Sequence, residues 1–367
     1  MKVLLEYLGI KEAGPILTLG IAKGFVENGH EVYIILSDKI ENKTNWLEGF
    51  PRDRLFFINT TPKRNNLIYS TASFLHDCFL IKRKFRNIKF DCFITTFLVL
   101  GGWDKIICNL IKADRKFTLI HDPIPHSSMP EKESIKYRKL VKNSNEIVVL
   151  TKKFIPIIES EYGFSLQRIH YMRLGKMNFL ETKKQNIRGD IHKFTFLFFG
   201  RIDGYKGIDV LLDAYEVISK EYTDKVELRI AGNGDFSKYK NKFNLLMNKT
   251  LINRYIDDSE IPDLFSATGT ILVLPYIDAT QSGVTPLAFQ FSVPVIASDT
   301  GGLKEQLFDG EVGSFFEAGD TNGLYKVMKQ FLDNKKLYFE ESERMKEYSE
   351  KLEWSSVIKE FVQSIWG

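Results

Sequence analysis

Short apolar runs alternate with amphipathic, helix-like segments along the whole chain, in two successive series. Val3-Leu4-Leu5 reads as a buried strand, Gly9 and Gly14 break it, and Ile16 to Asn28 reads as a helix. Gly29-His30 makes a turn and Glu31 to Leu36 the next strand, which completes a βαβ unit. Strand-like runs recur at Leu55–Ile58, Cys92–Thr95, Phe117–Ile120 and Glu146–Leu150. The second series opens with a strand at Phe194–Phe199 and a helix at Ile208–Tyr222, then strands at Val226–Ile230, Ile271–Leu274 and Pro294–Ala297. Runs that are apolar throughout suit strands buried on both faces, as in a parallel sheet covered by helices. The expected fold is α/β, with two doubly wound Rossmann-like domains facing across a cleft. The expected domains are 1–180 and 194–345, joined by the polar linker 181–193. The tail Leu324–Trp366 reads as helical, with Trp354, Ile358, Phe361 and Ile365 at helical spacing; its last part, 346–367, is a candidate to pack back on the first domain. Ligands of such sheets bind at the carboxyl ends of the strands.

A chain of 367 residues suits two domains, and 44% hydrophobic with 27% charged residues fits a globular protein. Three cysteines without C-x-x-C spacing argue against a disulfide framework or a zinc site. The start of the chain turns acidic within six residues, so no signal peptide is expected, and no apolar stretch is long enough to span a bilayer. Residues 1–180 carry 28 Lys and Arg against 18 Asp and Glu, a net of +10; residues 181–367 carry 23 against 29, a net of −6. The basic half either meets something anionic or is simply solvated.

Three segments carry chemistry. In Phe199-Gly200-Arg201-Ile202-Asp203-Gly204-Tyr205-Lys206-Gly207 a strand ends at a glycine, and a loop presents two cations before a helix opens. Arg supplies a planar fork for phosphate oxygens and Lys a point charge, as a leaving diphosphate requires. Ala231-Gly232-Asn233-Gly234 again follows a strand, and its glycines admit close approach of a nucleotide or form an ordinary turn. Gln281-Ser282-Gly283-Val284 precedes a helix, whose free N–H groups suit phosphate or a sugar hydroxyl, or are merely capped by Thr280 or Ser282.

The order of these features resembles the C-terminal domain of the retaining glycosyltransferases of family four, which have the GT-B fold. Gly200, Arg201, Lys206, Gly232, Gly234, Pro294, Gly301, Gly302 and Glu305 fall in place over roughly 194–323. The resemblance implies transfer of a sugar from a nucleoside diphosphate to a hydroxyl with retention, by a hexosyltransferase type of enzyme. It implies that Arg201 and Lys206 hold the diphosphate, that Arg254, Tyr255 and Ile256 frame the base through their backbone, and that Gln281, Ser282, Gly283 and Val284 contact phosphate or donor sugar. The family's E-x(7)-E glutamates fall here on Ala279 and Leu287, so the chain is a variant, and Asp278, one place earlier, is a candidate substitute. Gly9 and Gly14 correspond to the family's glycine-rich loop near the reaction centre. His121, at a strand end, corresponds to a histidine near the transferred sugar. Asp122 and His126 are further candidates on the acceptor side.

No D-x-D motif is present, so cation side chains rather than a metal are expected to hold the diphosphate, and no cofactor is expected. UDP is favoured over GDP as the carrier. The acceptor expected is a glycan or a lipid-linked saccharide, in bacterial surface polysaccharide or glycoconjugate synthesis; no nucleic acid partner is expected. The basic runs Lys82-Arg83-Lys84-Phe85-Arg86-Asn87-Ile88-Lys89 and Lys136, Arg138, Lys139, Lys142 are either solvated helix faces or a peripheral contact with the inner face of an anionic membrane. The location expected is cytoplasmic. A nucleotide-sugar epimerase of the same fold and a catalytically silent nucleotide-binding protein stay open as alternatives.

Overall fold

A computed structural model describes residues 1–11, 13–60, 67–99, 102–121, 123, 131–176 and 190–367. The chain divides into two compact units, Met1–Gly175 with Trp354–Gly367, and Lys176–Glu353.

The first unit holds a seven-stranded sheet of β1 (Lys2–Tyr7), β2 (Glu31–Ser37), β3 (Leu55–Ile58), β4 (Phe90–Thr96), β5 (Ala113–Ile120), β6 (Glu146–Val149) and β7 (Ile169–Tyr171). The order is β3-β2-β1-β4-β5-β6-β7 and every pairing is parallel. Parallel neighbours need crossovers, and here helices such as Ala13–Glu27 and Leu67–Phe85 supply them. The second unit holds β8 (Phe194–Phe199), β9 (Val226–Gly232), β10 (Lys249–Asn253), β11 (Thr270–Leu274), β12 (Val295–Ser298) and β13 (Ser314–Phe316), all parallel in the order β10-β9-β8-β11-β12-β13. Val3, Leu4 and Leu5, like Leu272, Val273 and Leu274, are wholly buried, because helices cover both faces of each sheet. In both units the strand order reverses beside the first strand, which is where an open α/β sheet opens a crevice.

β7, β10 and β13 were not expected as strands. β7 and β13 are three residues long, and β10 reads Lys-Thr-Leu-Ile-Asn, with two apolar residues. Each lies at or near a sheet margin, where one-sided burial leaves little apolar pattern.

The tail forms three helices, Thr321–Asp333, Lys335–Lys351 and Trp354–Trp366. Phe331, Tyr338 and Met345 join the core of the second unit, whereas Trp354, Ile358 and Phe361 join a core of the first. The tail therefore divides at Glu353, not at the expected 345, which falls inside the helix Lys335–Lys351. Of the expected linker, residues 181–189 lie outside the described residues, and Ile191 is buried in the second unit's core.

Trp354 shows why the last helix stays with the first unit. A side chain added at Gly20, Gly24 or Gly175 would overlap Trp354, so three small residues form its notch. Asn28 donates to the Ser355 carbonyl at 2.8 Å, and Arg115 donates to the Ile365 carbonyl at 3.2 Å while lying over the Trp366 ring. Trp354→Ala empties this notch, and we expect a loss of about 3–5 kcal/mol in urea unfolding, the usual range for a buried Trp; an unchanged midpoint would show that the notch carries no packing energy.

Candidate functional site

At the carboxyl edge of the second sheet the backbone continues to pair beyond the strands. Gly200 N–H donates to the Ala231 carbonyl at 3.0 Å, and Ile202 N–H to the Asn233 carbonyl at 2.9 Å. The loops after β8 and β9 thus run side by side. A Cβ at Gly232 would overlap the Gly200 carbonyl, and one at Gly234 the Ile202 carbonyl; their φ values of +149° and +155° are also open to glycine rather than to L side chains. In the structure these two glycines serve the approach of one backbone to another.

The loop after β8 is also joined to the loop after β11. Ile277 N–H donates to the Tyr205 carbonyl at 2.8 Å, and a Cβ at Gly207 would overlap the Pro275 carbonyl. Between these loops lies Lys206, only 9% exposed, with its Nζ 3.7 Å from the centre of the Tyr276 ring. Burial, first of all, lowers the Lys206 pKa from its ordinary value; Tyr205 opposes this, and the nearby Arg201 charge adds to it. Tyr276 is wholly buried, its phenol 3.1 Å from the Ser282 hydroxyl, and burial pushes it up to about 12. Arg201 is exposed at the start of the same loop.

The segment 281–284 is clamped by Gln306. Its Oε1 accepts from Ser282 N–H at 2.8 Å and its Nε2 donates to the Ser282 carbonyl at 3.2 Å. The Ser282 hydroxyl accepts from Val284 N–H at 3.3 Å, ahead of the helix Thr285–Phe291. Gly283 is exposed with open space where a Cβ would be. Gln281 is buried, and neither atom of its amide has a hydrogen-bond partner among the described residues. An orphaned buried amide costs about 1–3 kcal/mol, so a ligand able to reach this group would gain from pairing it. Asp278 is exposed nearby, while Ala279 and Leu287 are buried in the core.

Arg254, Tyr255 and Ile256 follow β10. The Arg254 fork grips both Glu260 oxygens, at 2.5 and 2.8 Å, and also donates to the Tyr255 carbonyl at 3.0 Å. Hydrogen bonds from Arg254 hold the Glu260 carboxyl down at about 2. The Arg254 side chain is thus spent on shaping its own loop, Ile256 is buried and Tyr255 is largely exposed.

In the first unit the carboxyl edge is aromatic. A side chain at either Gly9 or Gly14 would overlap the phenol of Tyr7, so the glycine-rich turn wraps this ring. Phe97, just past β4, meets Tyr7 edge-on with ring centres 6.3 Å apart. His121, just past β5, lies 6.1 Å from Phe97, also centre to centre. Asp122 and His126 lie outside the described residues. Tyr276, Gln306, Tyr7 and Phe97 had no role in the sequence reading. Tyr276 sits inside a motif but reads as an ordinary apolar residue, and nothing local marks Gln306.

Residues 181–352 match the family model of the glycosyl transferases group 1. A stretch of 142 residues is 32% identical to a phosphatidyl-myo-inositol mannosyltransferase of Mycobacterium leprae, spanning 38% of this chain and 37% of that protein. An uncharacterized glycosyltransferase of Haemophilus influenzae is 24% identical over 94% of both chains. The crystal structure of Anabaena HepE in complex with UDP-glucose superposes with a TM-score of 0.72 at 13% identity, covering 100% of this chain and 99% of the other, which shows a shared GT-B fold. Within the second unit, the loops after β8, β11 and β12 all leave the carboxyl edge around the switch point.

Lys206→Met keeps the volume and removes the buried charge. The lost contact with Tyr276 is worth about 1–2 kcal/mol, and relief of a desolvated cation offsets it. We expect a thermal midpoint at pH 7 equal to or above the parent's. Because the Lys206 pKa is depressed, its penalty is full at low pH and fades as pH rises toward the ordinary lysine range, so the variant's advantage should shrink with rising pH. A large loss of stability at pH 7 would mean that the cation is structural.

Proposed function

We propose that this protein transfers a sugar, with retention, from a nucleoside diphosphate to a hydroxyl of a glycan or lipid-linked acceptor in bacterial surface polysaccharide or glycoconjugate synthesis. The observation that carries this reading is Lys206, a buried cation with no ion pair among the described residues, beside the exposed Arg201 at the switch point of the unit that matches the glycosyl transferases group 1 model. A desolvated ammonium interacts more strongly with an arriving anion than a solvated one does. As the bond from sugar to diphosphate breaks, negative charge grows on the leaving oxygens, and Lys206 and Arg201 stabilise it from fixed positions. No metal is invoked for this task. The second unit would hold the donor, with the backbone of 254–256 beside the base and the segment 281–284 beside phosphate and sugar. The first unit would take the acceptor. UDP as the carrier is supported by the UDP-glucose complex of HepE.

Peripheral contact with an anionic membrane is part of this proposal. On the helix Leu67–Phe85, Leu75 and Phe79 are each 61% exposed, and Lys82, Arg83 and Arg86 continue the same side. Lys84 and Lys89 of the same basic run are engaged, with the Leu55 carbonyl and with Asp114. Among the described residues no helix is long and apolar enough to cross a membrane.

With UDP-sugars as donors, Arg201→Ala and Lys206→Ala should each lower kcat by roughly 100-fold or more, the scale set by removing one transition-state donor. UDP at 100 times its Kd should stabilise the parent by about 2.7 kcal/mol, an effect that both variants should largely lose. Near-normal turnover in both would sink the assignment. Replacing Lys82, Arg83 and Arg86 together by Ser should weaken sedimentation with phosphatidylglycerol vesicles by roughly 100-fold, at about 1 kcal/mol per cation; unchanged sedimentation would exclude this face.

A further inference from the structure

Phe97 has a backbone φ of +71°. Left-handed backbone is uncommon for a bulky side chain and persists only where the surroundings impose it. Phe308, at φ +56°, is the other aromatic residue in this state among the described residues, but its ring is buried against Phe289 and Tyr348. Phe97 is less covered: it is only partly buried, although it packs beside the core of the first unit.

The surroundings that impose the turn are identifiable. Thr96, the last residue of β4, donates to the Glu6 carbonyl at 3.1 Å, and its hydroxyl lies 2.7 Å from that of Thr18. The residue before Phe97 is thereby pinned to β1 and to the helix Ala13–Glu27. Phe97 then packs beside the core that contains Tyr7, whereas Leu98 packs beside a different one, around Ile120 and Phe154. The chain reverses side within one residue, and the reversal directs the Phe97 ring to the carboxyl edge between Tyr7 and His121. Beneath it Tyr7 is locked by Gly9 and Gly14.

We infer that Phe97 is the seat of the acceptor saccharide, the ring against which the C–H face of a pyranose packs while His121 meets its hydroxyls. This rests on the glycosyl-transfer reading above. A partly buried aromatic residue with a polar ring beside it suits an uncharged ring that has an apolar face and a polar rim. The cations suited to a diphosphate, Arg201 and Lys206, belong to the other unit. Phe97 is on this account a specificity-determining residue, and its backbone strain is kept because the position serves binding.

The test is saturation-transfer NMR on the full-length protein with UDP, using methyl and octyl pyranosides of glucose, galactose, mannose and N-acetylglucosamine as probes. The parent should transfer saturation to the ring protons on one face of at least one pyranoside. Phe97→Ala should reduce that transfer by about fivefold or more, whereas Phe97→Tyr should retain it. Calorimetric affinity for UDP and for UDP-glucose should be unchanged in both. Phe97→Gly should melt above Phe97→Ala, because glycine relieves the left-handed strain while both lose the ring, and it should still lose the pyranoside signal. The inference is overturned if no pyranoside contacts the parent, if the signal survives Phe97→Ala and Phe97→Gly, or if UDP-glucose affinity falls with it. Failure of the parent to bind UDP, with pyranoside contact intact, would instead count against the nucleotide reading.

Discussion

The second unit depends on how closely its backbone segments approach one another as they leave the carboxyl edge of the sheet. At Gly232 and Gly234 no Cβ fits between the loops after β8 and β9, and at Gly207 none fits against the loop after β11. Because these loops touch through backbone, Tyr276 can be buried beneath them and Lys206 drawn down onto its ring. A larger residue at any of the three glycines would push the loops apart and return Lys206 to solvent. Its charge would then be screened, and the field at the site would weaken.

Unfavourable groups stand at the carboxyl edge of both units, in contrast to the satisfied charges at the opposite edge of the first sheet. Near the amino ends of β5, β6 and β7, Arg115 donates to Glu146 at 2.9 Å and His170 meets the same carboxylate at 2.7 Å. At the carboxyl edge of the second unit, Lys206 is buried without an ion pair and Gln281 without a hydrogen-bond partner among the described residues. At that edge of the first unit, Phe97 keeps a left-handed backbone. Such departures from ordinary burial and backbone rules are found where a protein trades stability for binding.

The basic first half shows the limit of counting charges. Its net of +10 is a property of the sequence, but its cations do different things in the fold. Lys84 lies over the Phe56 ring and donates to the Leu55 carbonyl, Arg115 ties the last helix to the sheet, and Arg138 pairs with Glu161. Lys82, Arg83 and Arg86 are exposed. Which cations are spent on the fold depends on neighbours that are remote in sequence.

What the sequence determined by itself was the set of buried strands and the loops that follow them. Val3-Leu4-Leu5 and Ile271–Leu274 are apolar at every position, as a strand covered on both faces requires. The cations of 201–206 and the glycines of 232–234 were legible because they stand directly after such strands. Tertiary structure alone decided the remainder. The marginal strands β7, β10 and β13 exist because a neighbour pairs with them, which leaves no apolar period. The tail divides at Trp354 because glycines at 20, 24 and 175 form its notch. Gly232 faces the Gly200 carbonyl, Lys206 lies on Tyr276, and Phe97 lies between Tyr7 and His121. Local pattern reports how a residue is buried and how its own backbone turns; it does not report which distant segment fills the space beside it.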